Sequence, residues 1–201
     1  MAATKAKSAN RIHVIAGSDE SEIKRAAKRL ANSLTPAGDF GCDIIDGSVD
    51  YAEHAAQRVH QTVEALLTFP FFGGEKLVWL KNATFLDDSP TGRAEAVVEA
   101  LEKLTEVLRA GLPEKTHFLL SAIGVDKRRT FYKALQKLAE ITAFDAIDSG
   151  KTGWELDAMD VCRTLAEQKG LAFDGEALEL CALFTGGDRR TLENEIEKLD
   201  L

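Results

Sequence analysis

The chain has 201 residues, of which 45% are hydrophobic and 29% charged, and a net charge of −8. A chain of this size buries roughly 70% of the surface it exposes when unfolded, so disorder is excluded except in the small, polar, basic stretch 1–10, which reads as a flexible tail. Cys42, Cys162 and Cys181 form no C-x-x-C pair, and the absence of any apolar run near the roughly 20 residues of a membrane span, or of a signal-peptide core, points to three reduced thiols in a cytoplasmic protein.

The first element is a short β-branched run, Arg11 to Ala16, of the kind that forms a buried parallel strand. Gly17-Ser18 breaks it, and Asp19 with Glu22 three residues on resembles a capping box that starts a helix. Ile23, Ala26, Ala27, Leu30, Ala31 and Leu34 then recur on one helical face until Pro36 and Gly38. The alternation repeats along the chain. Strands are predicted at Cys42–Asp46, Leu77–Leu80, His117–Ser121 and Ile141–Phe144, and helices at Asp50–Leu67, Gly92–Ala110 and Arg128–Ala139. Strands alternating with helices imply an α/β fold with a mostly parallel sheet and helices on both faces.

The pattern changes after Ile147. The polar stretch Asp148-Ser-Gly-Lys-Thr-Gly153 reads as a linker, and three helices follow without a strand: Trp154–Lys169, Asp174–Thr185 and Asp188–Leu199. Residues 11–147 are therefore expected to form the α/β domain and 148–201 a small helical domain. Alone, so small a domain buries little surface, so it is expected to lean on the first domain or on a partner. Charge follows the same division: residues 1–147 hold 19 Lys+Arg against 20 Asp+Glu, and residues 148–201 hold 6 against 13. Such an acidic domain argues against direct contact with nucleic-acid phosphates and suits a basic partner or plain solvation.

A sheet domain followed by a small helical domain is the plan of AAA+ ATPases, which raises the question of a nucleotide site. A phosphate loop needs G-x-x-x-x-G-K-[ST] between the first strand and helix, so that backbone N–H groups and a lysine surround the phosphates. Here Gly17 is followed by Glu22 in place of the second glycine and Ile23 in place of the lysine, and Asp19, Glu20 and Glu22 would face the phosphates with carboxylates. Lys81-Asn82 stands where a magnesium-binding acidic pair would end the third strand. The expectation is a degenerate phosphate loop with no cofactor, no metal and no catalytic residue. Gly150-Lys151-Thr152 is a weak match, with no strand before it and no upstream glycine, and reads as part of the linker.

Four segments together resemble the DNA polymerase III delta-subunit family. They are Ala16-Gly-Ser-Asp-Glu20, the junction Leu67-Thr-Phe-Pro-Phe-Phe-Gly-Gly-Glu-Lys-Leu-Val-Trp-Leu80, the basic turn Val125-Asp-Lys-Arg-Arg129, and Phe184-Thr-Gly-Gly-Asp-Arg-Arg-Thr-Leu-Glu-Asn-Glu-Ile-Glu-Lys-Leu199. The resemblance implies an AAA+-like domain, a three-helix lid, and a collar domain that this sequence lacks. Because the chain stops just past its last helix, it is expected to be a piece of a longer protein. The resemblance also implies a clamp-loader subunit of the polymerase III holoenzyme that binds and opens the sliding clamp (the beta subunit). ATP hydrolysis would be left to neighbouring loader subunits, and DNA would be met only within the assembled loader. Two other readings stay open: an ATP-using enzyme with an unusual phosphate loop, and an assembly module with no clamp contact.

By the same resemblance Phe71 and Phe72 occupy the apolar pair that enters the clamp, with Phe69 read as packing. Pro70 and Gly73-Gly74 mark the segment as a surface turn. Lys127, Arg128 and Arg129 are candidates for DNA-backbone contact in the assembled loader, set against a solvated helix start. Lys24, Arg25, Lys28 and Arg29 read as a solvated helix flank. Arg189 and Arg190 stand near the position of a γ-phosphate sensor in ATP-binding relatives, a role that is void without a phosphate loop, so Asp188 is expected to cap the last helix there. His13, His54, His60 and His117 show no metal spacing, and Asp87-Asp88 reads as a polar loop.

Overall fold

The computed structural model describes residues 10–35, 41–69 and 74–199. Residues up to Phe144 form one compact unit and residues from Asp145 a second.

The first unit is a five-stranded sheet in which every pairing is parallel: β1 (Ile12–Gly17), β2 (Cys42–Asp46), β3 (Lys76–Lys81), β4 (Thr116–Ile123) and β5 (Glu140–Phe144), in the order β2-β3-β4-β1-β5. The α/β fold expected from the alternation of elements is what the chain adopts. The central strands are apolar on both faces, and side-chain alternation sends successive residues to opposite layers. Val14, Val78, Leu80, Phe118 and Leu120 join one core with helices α2 (Ala52–Leu67), α4 (Glu95–Ala110) and α5 (Thr130–Leu138). Ile15, Leu77, Trp79 and Leu119 meet α1 (Glu20–Leu34) on the other face through Ile23, Ala27 and Ala31.

The helices that follow β1 and β4 thus lie on opposite faces, while β1 and β4 are neighbours in the sheet. That is a topological switch point, and the loops after these two strands converge at its mouth. There the Gly124 N–H donates to the Gly17 carbonyl at 2.8 Å.

The single helix expected over 92–110 is two helices, α3 (Pro90–Arg93) and α4, separated by Ala94 in extended conformation at φ −60°, ψ 137°. Ser89 starts α3 by accepting the Gly92 N–H at 3.0 Å, with Pro90 at the first helical position. Arg129 donates to the Gly92 carbonyl beside the break, and to those of Phe85 at 3.0 Å and Asp87 at 3.1 Å. Phe85 belongs to a 3-10 turn, Thr84–Leu86, and is wholly buried.

The second unit contains α6 (Trp154–Gln168), α7 (Gly175–Thr185) and α8 (Arg189–Leu199) around Cys162, Leu165, Leu178, Leu192 and Ile196. Asp174 caps α7 by accepting the Ala177 N–H at 2.8 Å, and Gly186 ends it in the left-handed region at φ 61°. Asp188 accepts the backbone N–H and hydroxyl of Thr191 at 2.8 and 2.6 Å, and these bonds hold its carboxyl below the usual range.

Gly92 leaves no room for a side chain: a Cβ there would lie 2.7 Å from the Phe85 carbonyl oxygen and 2.8 Å from the Arg129 guanidinium. Gly92→Ala is expected to push Arg129 off its carbonyls and lower the unfolding free energy by about 1–3 kcal/mol in urea denaturation. An unchanged midpoint would show that the arginine does not tie these turns together.

Candidate functional site

The loop after β1 starts at Gly17, whose φ of +152° and close approach to β5 exclude a side chain, since a Cβ would stand 1.9 Å from the Phe144 carbonyl oxygen. That oxygen accepts the Ser18 and Asp19 N–H groups, each at 3.0 Å. Asp19 caps α1 by accepting the Glu22 N–H at 3.0 Å. The reciprocal half of a capping box is missing, because the Asp19 N–H is given to Phe144 and the buried Glu22 carboxylate pairs with Arg25. The carboxylates of Glu20 and Glu22 also complement the positive end of the helix dipole, where a phosphate would otherwise bind. Ile23 is buried in the core.

At the end of β3, Lys81 lies over the Trp79 ring at 5.5 Å, and Asn82, at φ 54°, donates its N–H to the Ser121 hydroxyl at 3.3 Å. Gly150 and Lys151 sit in a turn closed by Asp148, which accepts the Gly150 N–H on its side chain at 3.0 Å and the Lys151 N–H on its carbonyl at 2.9 Å. The fourth strand's basic turn divides. Arg128 is exposed and grips Asp126 with Nε and a terminal nitrogen at 2.9 and 3.0 Å, reaching Asp88 at 3.3 Å. Those bonds hold the Asp126 carboxyl down at about 2. Arg129 is turned inward onto its three carbonyls, while Lys127 is exposed.

The other end of the sheet carries the junction between α2 and β3. Leu66 is fully buried, but Leu67 is 56% and Phe69 78% exposed. Phe69, expected to pack inside, therefore faces solvent, because α2 ends at Leu67 and the chain leaves the core there. Phe71 and Phe72 lie outside the described residues. Lys76, which the sequence pattern did not single out, anchors this junction. It is buried, and its ammonium donates to the Ala65 carbonyl at 2.7 Å, the Thr68 hydroxyl at 2.8 Å and the Thr68 carbonyl at 3.3 Å, while pairing with Asp43 of β2 at 2.9 Å. A cation set against the last carbonyls of a helix satisfies orphan acceptors and opposes the negative dipole end. A lysine opening an otherwise apolar strand, just after a helix end, was the available signal.

His13 and His117, on neighbouring strands, stack with ring centroids 6.4 Å apart, and burial above all lowers the pKa of both. Asp88 is shared by Arg93 at 3.5 Å and Arg128, and no metal-binding cluster of His, Cys, Asp or Glu exists among the described residues. No helix is long and apolar enough to cross a membrane among them.

Residues 13–145 match the family model described as DNA polymerase III, delta subunit. The chain belongs to that family. Among solved structures it is similar to the Bacillus subtilis DNA clamp loader delta protein, with 23% identity and a TM-score of 0.65 over 95% of this chain and 53% of that one. A further likeness is to a chain of the HORMA:CdnC:Trip13 complex of E. coli MS115-1, with 16% identity and a TM-score of 0.51 over 87% and 59% of the two chains. At these identities both show the fold, and the chain spans about half the length of the clamp loader protein. No curated protein matches.

Lys76→Met is expected to leave the α2 carbonyls without their donor and to lower the unfolding free energy by about 1–3 kcal/mol. Asp43→Ala should cost less, since that carboxylate is half exposed and rehydrates. Equal urea midpoints for wild type and Lys76→Met would remove the lysine from this role.

Proposed function

We propose that this chain binds the sliding clamp through the apolar tip after α2, with Phe71 and Phe72 as the inserted pair, and weakens one interface of the ring. The observation that carries the reading is the exposure of Leu67 and Phe69 at the end of α2, directly before Pro70-Phe71-Phe72. Single exposed apolar residues are ordinary, but several gathered at one turn mark a binding surface. The clamp loader delta likeness and the family membership support the same partner.

The chain works without catalysis of its own in this reading. The β1–α1 loop gives N–H groups to Phe144 that a phosphate loop would offer to an anion, and sets Asp19, Glu20 and Glu22 beside it. ATP is hydrolysed by neighbouring loader subunits of the polymerase III holoenzyme, in the cytoplasm. The helical unit acts as the lid of an AAA+-like module. DNA is met only in the assembled loader, with Lys127 and Arg128 the exposed cations of the basic turn, Arg128 having to leave Asp126 and Asp88 to reach a phosphate, while Arg129 is turned inward onto carbonyls.

Two fully covered phenylalanines bury about 150–250 Å² each. At roughly 25 cal/mol/Å² that gives several kcal/mol of gross burial, enough to dominate a small interface after the costs of association. The Phe71→Ala/Phe72→Ala double variant is expected to keep its melting temperature and to lose clamp affinity at least about tenfold, or about 1.4 kcal/mol, in a titration against the clamp. Core phenylalanines would instead cost about 3–5 kcal/mol each in stability. A folded variant with full clamp affinity would move the contact elsewhere.

A further inference from the structure

Cys162 on α6 and Cys181 on α7 are far apart in sequence, yet the fold packs both into the one apolar cluster of the helical unit, near enough for Cys181 to raise the pKa of the Cys162 thiol. Cys162 is fully buried among Leu165, Leu178, Leu192 and Ile196, and Cys181 is half-buried against the same cluster. A disulfide requires Cβ atoms about 3.5–4.5 Å apart on facing elements, and α6 and α7 pack on each other around the cluster that holds both cysteines. Cys42, the remaining cysteine, lies on β2 in the other unit.

We propose that Cys162 and Cys181 form an exchangeable thiol pair that closes to a disulfide with a low-molecular-weight disulfide as oxidant, pinning α6 to α7. The unequal surroundings of the two sulfurs set the order of events. Burial, and then the Cys181 contact, push the Cys162 thiol up to about 12, so it stays protonated and does not attack first. Cys181, the more accessible, loses its proton to solvent and attacks one sulfur of the small disulfide. That gives a mixed disulfide at Cys181 and releases one thiolate. The Cys162 thiol then gives its proton to solvent or to a departing thiolate, and its sulfur attacks Cys181 Sγ and expels the second thiolate. Two protein thiols are oxidised to one disulfide, and one small disulfide is reduced to two thiols. The apolar walls around Cys162 exclude other thiols, so an intramolecular partner in the same cluster is favoured over any external one.

The closed loop, residues 162–181, covers most of α6's second half and the start of α7, so the cross-link restricts the unfolded helical unit and should raise its melting temperature. The test uses the intact chain incubated with excess oxidised glutathione at mildly alkaline pH, then digested with trypsin without reduction. The expected product joins the peptide 152–163 to the peptide 170–189 and is lighter by two hydrogens than the reduced pair. The titratable thiols of the denatured chain fall from three to one, and dithiothreitol restores all three. Cys181→Ser should retain two titratable thiols under the same treatment. A lasting glutathione adduct on Cys181, a bridge to Cys42, a bridge between two chains, or an unchanged count of three would each overturn the proposal.

Discussion

The Phe144 carbonyl is the point on which the first unit's site depends. It accepts two consecutive N–H groups, from Ser18 and Asp19, and it can come that close because Gly17 has no side chain. Each such bond contributes about 0.5–1.5 kcal/mol net. The consequences spread from there. The end of β5 is fixed beside β1, the first turn of α1 is set by Asp19, and the Gly17 carbonyl is left to accept from Gly124 of the neighbouring loop. The mouth of the switch point, where α/β sheets commonly place a ligand, is thereby laced with backbone hydrogen bonds.

That lacing separates the two ends of the sheet in chemical character. At the C-terminal ends of the strands, polar backbone is satisfied within the chain and carboxylates crowd the first turn of α1. Toward the opposite edge, the chain carries apolar side chains outward at Leu67 and Phe69, on a helix end held by a buried lysine. Lys76 matters there because it reaches carbonyls of α2 and the carboxylate of β2 from the first residue of β3. Three elements that frame the α2–β3 junction share one cation.

Much of the fold was legible because strands buried on both faces are continuous apolar runs and because helix starts carry local chemistry. Leu77–Leu80 and His117–Ser121 were placed by the first signal, and the starts of α1 and α8 by the capping of Asp19 and Asp188. What escaped depended on partners far along the chain. Ala94 interrupts a helix beside the Gly92 carbonyl, which is bound by Arg129 from far along the chain. Phe69 faces solvent because it lies past the end of α2 at Leu67. His13 and His117 meet only once β1 and β4 pair, and Cys162 and Cys181 share one cluster only once α6 packs on α7. Helical and strand periodicity report on neighbours three or four, or two, residues away, and none of these pairs is so close.

The central claim is that a loop in the place of a phosphate cradle serves as a clasp between β1, β5 and α1. Titration of the chain with Mg-ATP, read by melting temperature, tests it most directly. A nucleotide held at 100 times its dissociation constant would add about 2.7 kcal/mol. The account predicts no saturable shift up to millimolar Mg-ATP. A saturable shift that persisted in Lys151→Ala, and so could not come from the Gly150-Lys151-Thr152 turn, would place a phosphate in the β1–α1 loop and contradict it.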